Sequence, residues 1–242
     1  MKNSRNSMYS EYSCKLYKNN VVEEKYMYTP VVKENLGSNR WHVYSKKIKR
    51  EVRLKGDLEY DHWVLIETNP MVLDFCEKPK QIIYIVNGKP IKSVFDMWIK
   101  WKGGNEEFVA VNYSYEIDST HKRKKDSAIE KVNAQRMWCY EHDFAYSVNR
   151  ENEIRKNLIL LENKKILLPY MGQAINSEIE IVDAIKNKID NGCTRINQIE
   201  QELTKYHKTK IRRIAYLLIV EGILESNIDR YPIGHNTEVY IK

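Results

Sequence analysis

The sequence predicts an α/β chain: a mixed sheet flanked by helices, followed by a small three-helix unit closed by a hairpin. Three observations carry this. Between Asp57 and Leu161 the hydrophobic periodicity changes in the order helix, three strands, helix, strand, helix. Pro169 to Ser177 interrupts the pattern and reads as a linker. Beyond it, three amphipathic stretches precede two short strands. A chain of 242 residues suits one medium and one small domain, with expected boundaries at 1–50 for an N-terminal arm, 51–170 for the larger domain and 171–242 for the smaller.

Taken in order, the first fifty residues are rich in Tyr, Asn, Lys and Glu and read as an extended arm with one short strand near Trp41 to Ser45. Asp57 caps a helix running to about Glu67, with Leu58, Leu65 and Ile66 facing inward, and Asn69-Pro70 stops it. Gln81 to Val86 is a strand, and Asn87-Gly88 is a two-residue hairpin turn because both positions accept positive φ. A second strand from Ile91 to Trp101, a turn at Gly103-Gly104 and a third strand from Glu107 to Tyr113 complete an antiparallel meander. Ser127 to Glu141 is helical, Phe144 to Val148 a strand, and a further helix runs from Glu151 through Leu161. After the linker come helices at Glu178 to Asp190, from Thr194, and at Lys208 to Glu221, with Gly192 and Gly222 suited to their ends. Strands at Ile223 to Ile228 and Glu238 to Ile241 close a winged helix.

Composition narrows the function classes. Hydrophobic residues make up 42% and charged residues 30%, which is enough apolar material for a core and rules out a largely disordered chain. No apolar run reaches the roughly 18 residues of a membrane span. The first twenty residues lack the apolar core of a secretory signal, so a bacterial cytoplasmic location is expected. Cys14, Cys76, Cys139 and Cys193 are far apart, with no zinc-type spacing, and are expected to be reduced, buried thiols. Lys and Arg outnumber Asp and Glu by 40 to 33, a net charge of +7 that permits nucleic-acid binding without requiring it.

The candidate chemistry is that of a metal-dependent nuclease. Such an enzyme needs carboxylates to hold a divalent cation and a lysine to orient the attacking water. On the second strand Val94, Asp96 and Trp98 share one face, and Asp96 is the single acid of an apolar strand. A lone buried carboxylate is costly unless it is ion-paired or holds a metal, which leaves Asp96 as a structural partner or a ligand. Glu59, on the preceding helix, is the natural second acid, although the helix dipole alone favours an acid in a first turn.

GDLEYDHWVLIETNPMVLDFCEKPKQIIY, then FDMWI, then FVAVNYS, in that order and spacing, resembles TnsA, the endonuclease subunit of heteromeric cut-and-paste transposases. AQRMWCYEHDFAYSVNRENEIRKN is similar to the segment that closes the TnsA nuclease domain, and the winged helix is similar to the family's C-terminal domain. The resemblance runs from about Trp41 onward. It implies a restriction-endonuclease-like fold, magnesium or manganese as cofactor, and action on DNA at transposon ends with a TnsB-like transposase and a TnsC-like ATPase regulator. In that family the subunit nicks the strand its partner leaves intact. Glu59 falls on the family's helix glutamate and Asp96 on its metal-binding aspartate. The third motif, an acid or amide, an apolar residue and a lysine, is here Ala110, Val111 and Asn112, so two of four groups are kept.

Three explanations stay open at this point. The missing groups moved elsewhere, with Glu106, Glu107, Glu116, Lys100, Lys131 and Gln135 as stand-ins; or cleavage is lost and a DNA-binding or assembly protein remains; or the strand register is one residue off, which puts Val109 or Val111 at the ligand position. For DNA contact, Lys208, Lys210, Arg212 and Arg213 lie on the helix that a winged helix inserts into the major groove. Lys122, Arg123 and Lys124, after the third strand, suit a backbone-guiding loop. For both basic stretches the competing expectation is a solvated surface, and the C-terminal one also suits protein docking.

Overall fold

In the computed structural model, which describes residues 26–29, 39–173 and 178–242, a mixed four-stranded sheet carries helices on both faces. The chain enters through an antiparallel hairpin, β1 (Arg40–Ser45) and β2 (Arg50–Lys55), with Val43 opposite Val52. The expected short strand is therefore β1, and β2 adds a partner whose Val52 and Leu54 alternate into the core. The rest of the expected arm, residues 1–25 and 30–38, lies outside the described residues.

Helix α1 (Asp57–Glu67) follows directly. Its N-cap is Gly56 at φ 84, a conformation suited to glycine, so Asp57 is the first helical residue rather than the expected cap. The Asp57 carboxylate accepts hydrogen bonds from Asn39 Nδ2 at 2.9 Å and Trp41 Nε1 at 3.0 Å, which hold its pKa below the usual range. Leu58 and Ile66 are buried as expected, with Trp63 and Val64, whereas Leu65 is only half-buried. The buried acids of α1 are paired, as burial demands. Asp61 meets Arg155 at 2.7 Å and Lys165 at 2.8 Å, and Glu67 accepts from Ser45 Oγ at 2.6 Å.

The central departure from expectation comes next. The sequence predicts one strand from Ile91 to Trp101 inside a three-stranded meander; the structure divides it. Strand β3 (Val72–Glu77) precedes a separate hairpin of β4 (Gln81–Val86) and β5 (Lys89–Val94), and the chain then returns as β6 (Met97–Trp101) and β7 (Glu106–Asn112). Because β3 pairs along β6, from Val72 opposite Trp101 to Glu77 opposite Met97, it takes the position that the meander reserves for β4. The Asn87-Gly88 turn forms as expected, with φ of 50 and 75.

After the short α2 (Ser114–Ile117), helix α3 (Asp126–Glu141) leads to β8 (Ala145–Arg150), which pairs in parallel with β7. The sheet order is β3-β6-β7-β8. The expected helix from Glu151 is two, α4 (Glu151–Ile154) and α5 (Leu158–Leu167), because Asn157 stops the first and caps the second by accepting from Leu160 N at 2.9 Å. On one face of the sheet Val72, Phe75, Met97, Ile99 and Val109 pack with Trp63, Val64 and Ile66 of α1 and Leu161 of α5. On the other, Cys76, Trp98 and Phe108 meet Cys139 and Trp138 of α3.

The C-terminal unit matches its expected spans. A 3-10 turn (Leu168–Tyr170) precedes α6 (Ile179–Asp190), α7 (Ile196–Glu202) and α8 (Lys208–Val220), and β9 (Leu224–Ser226) pairs antiparallel with β10 (Val239–Ile241). Ile181, Ile185, Ile196, Ile199, Ile211, Ile214, Leu217 and Leu218 form its core. Asn163 of α5 joins it to the sheet domain: Nδ2 donates to the carbonyls of Ile228 and Tyr231 at 2.7 Å each, and Oδ1 accepts from Ile233 N at 2.8 Å. Cys76 and Cys139 are buried and Cys193 is half-buried; Cys14 lies outside the described residues. Among the described residues no helix is long and apolar enough to cross a membrane.

Candidate active site

Asp96 sits where the chain passes from the β4-β5 hairpin to the main sheet. Successive amides serve different partners there: Phe95 N donates to Lys80 O at 3.2 Å, and Asp96 N to Val109 O at 3.0 Å. The strand break leaves the next amide of β7 without a backbone acceptor, and the Asp96 side chain takes that role, Oδ2 accepting from Val111 N at 2.7 Å. Asp96 is thus a carboxylate fixed at a sheet edge, half-buried rather than enclosed in the middle of an apolar strand.

The other oxygen, Oδ1, accepts from Lys78 Nζ at 2.5 Å, and the same ammonium donates to Glu59 Oε1 at 2.8 Å. Glu59 reaches this point from the first turn of α1, and its Oε2 accepts from Lys55 N at 2.9 Å. One ammonium therefore bridges the two carboxylates singled out in the sequence. Lys78 follows β3 directly, with φ at 47, in the left-handed region. A non-glycine residue there costs on the order of 1–3 kcal/mol and persists only where its surroundings dictate the conformation. Here they do: Lys78 N donates to Asp96 O at 3.0 Å, its own carbonyl accepts from Thr29 N at 2.8 Å, and its side chain is held between the two acids.

The electrostatics follow from burial. Desolvation alone would lower the Lys78 pKa, but the Asp96 and Glu59 carboxylates outweigh it and raise the pKa, keeping the ammonium charged. Burial pushes the Glu59 carboxyl above its ordinary range, with Lys78 pulling the other way and Asp96 adding to the rise. His62, one turn along α1, is buried, and desolvation lowers its pKa to about 4, so it is neutral. Its Nε2 lies 3.0 Å from Asn149 Nδ2 and its Nδ1 has no hydrogen-bond partner. The Asn149 amide donates to Nε2, which puts the ring proton on Nδ1.

Lys55, Glu59, Lys78 and Asp96 open onto a cleft of about 650 Å³, also lined by Gln81, Lys92, Ala110, Val111, Asn112, Glu116, Lys125, Lys131 and Gln135. Ala110 and Asn112 thus face the cleft without supplying an acid or a lysine. Of the stand-ins, Glu116, Lys131 and Gln135 line it, while Glu106, Glu107 and Lys100 do not. Glu116 is engaged with Lys125. The Gln135 amide donates to Ser93 Oγ at 2.9 Å and Val94 O at 3.0 Å and accepts from Tyr146 OH at 2.8 Å, so it ties α3 to β5 and β8. The lysine beside the acids is Lys78, which the sequence reading does not single out; its signal is a Lys-Pro step at the end of VLDFCE, and Lys89-Pro90 repeats that step before the Asp96 segment.

The basic residues expected at DNA divide. Lys122, Arg123 and Lys124 are exposed; Arg123 lies 4.6 Å from the centre of the Tyr115 ring, and Lys124 pairs with Asp126 at 3.3 Å. On α8, Arg212 bonds Glu200 at 2.8 Å and His235 at 2.9 Å, Arg213 pairs with Glu178 and donates to Gln173 at 3.1 Å, and Lys210 lies 3.3 Å from Glu178. Lys208 alone of the four has no such partner among the described residues.

Glu59 and Asp96 are the two groups in this cleft suited to a divalent cation; among the described residues no cluster of three or more His, Cys, Asp or Glu side chains forms a metal site. Two carboxylates with water and substrate phosphate oxygens completing the shell is how magnesium is commonly held, so these hard oxygen donors would fit it once the Lys78 ammonium moved from between them. No family model and no curated protein matches the chain.

Proposed function

We propose that this chain is a TnsA-like DNA endonuclease subunit, with a restriction-endonuclease-like nuclease domain and a winged helix, that cuts at transposon ends beside a TnsB-like transposase under a TnsC-like ATPase regulator. The observation that carries the reading is the bridge of Lys78 Nζ between Glu59 and Asp96. Two acids and a lysine are three of the four groups that the resemblance calls for: Lys78 stands in for the lysine that Asn112 replaces, and the acid of the third motif is missing at Ala110.

In this reading Glu59 and Asp96 hold magnesium or manganese, which would polarise a phosphoryl oxygen and lower the pKa of a bound water. The protein's own part is positioning. Val111 N and Lys55 N fix one oxygen of each acid, and Lys78, which stays protonated, would yield its place between the other two to the cation and remain beside them. A charged ammonium at that point suits orientation of water or neutralisation of phosphate charge, not proton abstraction. The alternative, a catalytically inactive DNA-binding or assembly protein that keeps the nuclease shape, draws on Ala110, which has no ligand atom.

The deciding experiment is strand cleavage on a supercoiled plasmid carrying the cognate element ends, with the full chain, the partner proteins and magnesium or manganese. A second-strand cut at the ends, lost in Asp96→Asn and in Lys78→Met, is expected. Asp96→Asn keeps an acceptor for Val111 N but removes a counter-charge of the buried Lys78, so its melting is measured beside the wild type to separate loss of charge from loss of fold. Absence of any cut by the wild-type chain, or undiminished cutting by Asp96→Asn, overturns the proposal.

A further inference from the structure

Five lysines line the cleft, Lys55, Lys78, Lys92, Lys125 and Lys131, against three carboxylates, Glu59, Asp96 and Glu116. The pairs already described use Lys78 for Glu59 and Asp96, and Lys125 for Glu116. Lys55 at the end of β2, Lys92 on β5 and Lys131 on α3 are left without a carboxylate among the described residues. Three lysines from three separate elements thus line one concavity whose acids are already matched. Their mutual repulsion is relieved only by water or by a multivalent anion, and low-dielectric walls concentrate that field inside the cleft.

We propose that Lys55, Lys92 and Lys131 form a phosphate cradle that binds the backbone of one strand of duplex DNA, laid between the β4-β5 hairpin and α3 and across Glu59 and Asp96. The choice of DNA as the polyanion rests on the nuclease reading. The cradle itself rests on the unmatched charge and on the shape of the cleft. It differs from the basic stretches conspicuous in the sequence, because on α8 the arginines are committed to Glu178 and Glu200 inside their own unit. The contacts are to phosphate, so the cradle fixes the register of the strand at the acids and carries no base preference.

The test is the salt dependence of binding. A fluorescently labelled duplex is titrated by anisotropy with the full chain in EDTA, which prevents cleavage, between about 50 and 200 mM salt. Each phosphate contact removed should make the slope of log affinity against log salt less negative by about 0.9. The K55Q/K92Q/K131Q variant is therefore expected to lose about 2.7 from the slope, and each single variant about a third of that. Unchanged melting of the triple variant shows that it is folded; if it melts early, the three single variants carry the test. A slope equal to wild type in the triple variant and in all three singles overturns the cradle, whatever the plasmid assay gives. The expected slope change with no cleavage by the wild-type chain supports the cradle and removes the nuclease reading.

Discussion

On α8, Arg212 and Arg213 sit in a run of six residues containing four basic ones, and both guanidiniums turn to acids of their own unit, Glu200 and Glu178. Around Asp96 the positive charges are scattered through 77 residues of sequence, from Lys55 to Lys131, and the fold gathers them at one cleft where three lack an acid. A conspicuous basic run in the sequence thus became mostly internal ion pairs, and lysines that attract no notice one by one became a positive concavity. Charge density along the chain is a poor guide to charge available to a ligand; what decides it is whether acids lie within reach after folding.

The largest expected effect separates Lys78 from the other cleft lysines. Lys78→Met leaves Glu59 and Asp96 facing each other, both largely buried, and removing one partner of such a cluster costs about 3–5 kcal/mol. The pH dependence has a definite sign. Burial already raises the Glu59 pKa above its ordinary 4.5, and without Lys78 it rises further. An acid whose folded pKa is raised favours the fold when protonated and opposes it when ionised. The deficit of Lys78→Met in urea unfolding should therefore be large at pH 7 and shrink as pH falls toward 4.5. A deficit of equal size at both pH values would show that Lys78 acts through packing or its backbone conformation instead.

His62 tests the same cluster from its buried side. The unfolded chain takes a proton on His62 near 6.5, whereas the folded chain takes it only near about 4, chiefly because of desolvation. Between these values the unfolded state binds more protons, so stability falls as pH drops through the window, by roughly 3 kcal/mol in all. His62→Gln keeps an acceptor for Asn149 and has no titration, so its unfolding free energy should decline less between pH 6.5 and 4. Parallel curves for the two proteins would mean that His62 titrates alike in the folded and unfolded chain, and that its burial does not hold it neutral.

Much of the scaffold was legible because its signals are local. The α6, α7 and α8 spans follow from isoleucines at helical spacing, and the β4-β5 turn from Asn87-Gly88. Asp96 was legible as a lone acid in an apolar strand and Glu59 as an acid on the preceding helix, and the fold brings both to Lys78. What the sequence concealed was non-local. VLDFCE alternates imperfectly and ends in acids, so β3 did not read as a strand, and without it β5 and β6 read as one. Lys78 lies 19 residues from Glu59 and 18 from Asp96, and only the pairing of β3 with β6 brings it between them. Ala110 and Asn112 line the cleft without an acid or a lysine, and reading along β7 alone could not find the ammonium that the end of β3 brings to the two acids.

The smallest expected effects sharpen the contrast within a single helix. Arg212→Met deprives the buried Glu200 of its main cation, but the guanidinium is about a quarter exposed and His235 stays 3.2 Å from the carboxylate. The loss is accordingly set below that of a fully buried pair, at about 2 kcal/mol. Lys208→Gln, four residues earlier on the same helix, removes a solvated charge and should change unfolding free energy by no more than about 0.5 kcal/mol. Chemical denaturation of both variants places the two side by side. If Arg212→Met is as mild as Lys208→Gln, the Glu200 pair contributes nothing, the guanidinium is free to leave it for a phosphate, and the distinction between a committed helix and an open cleft fails at its strongest point.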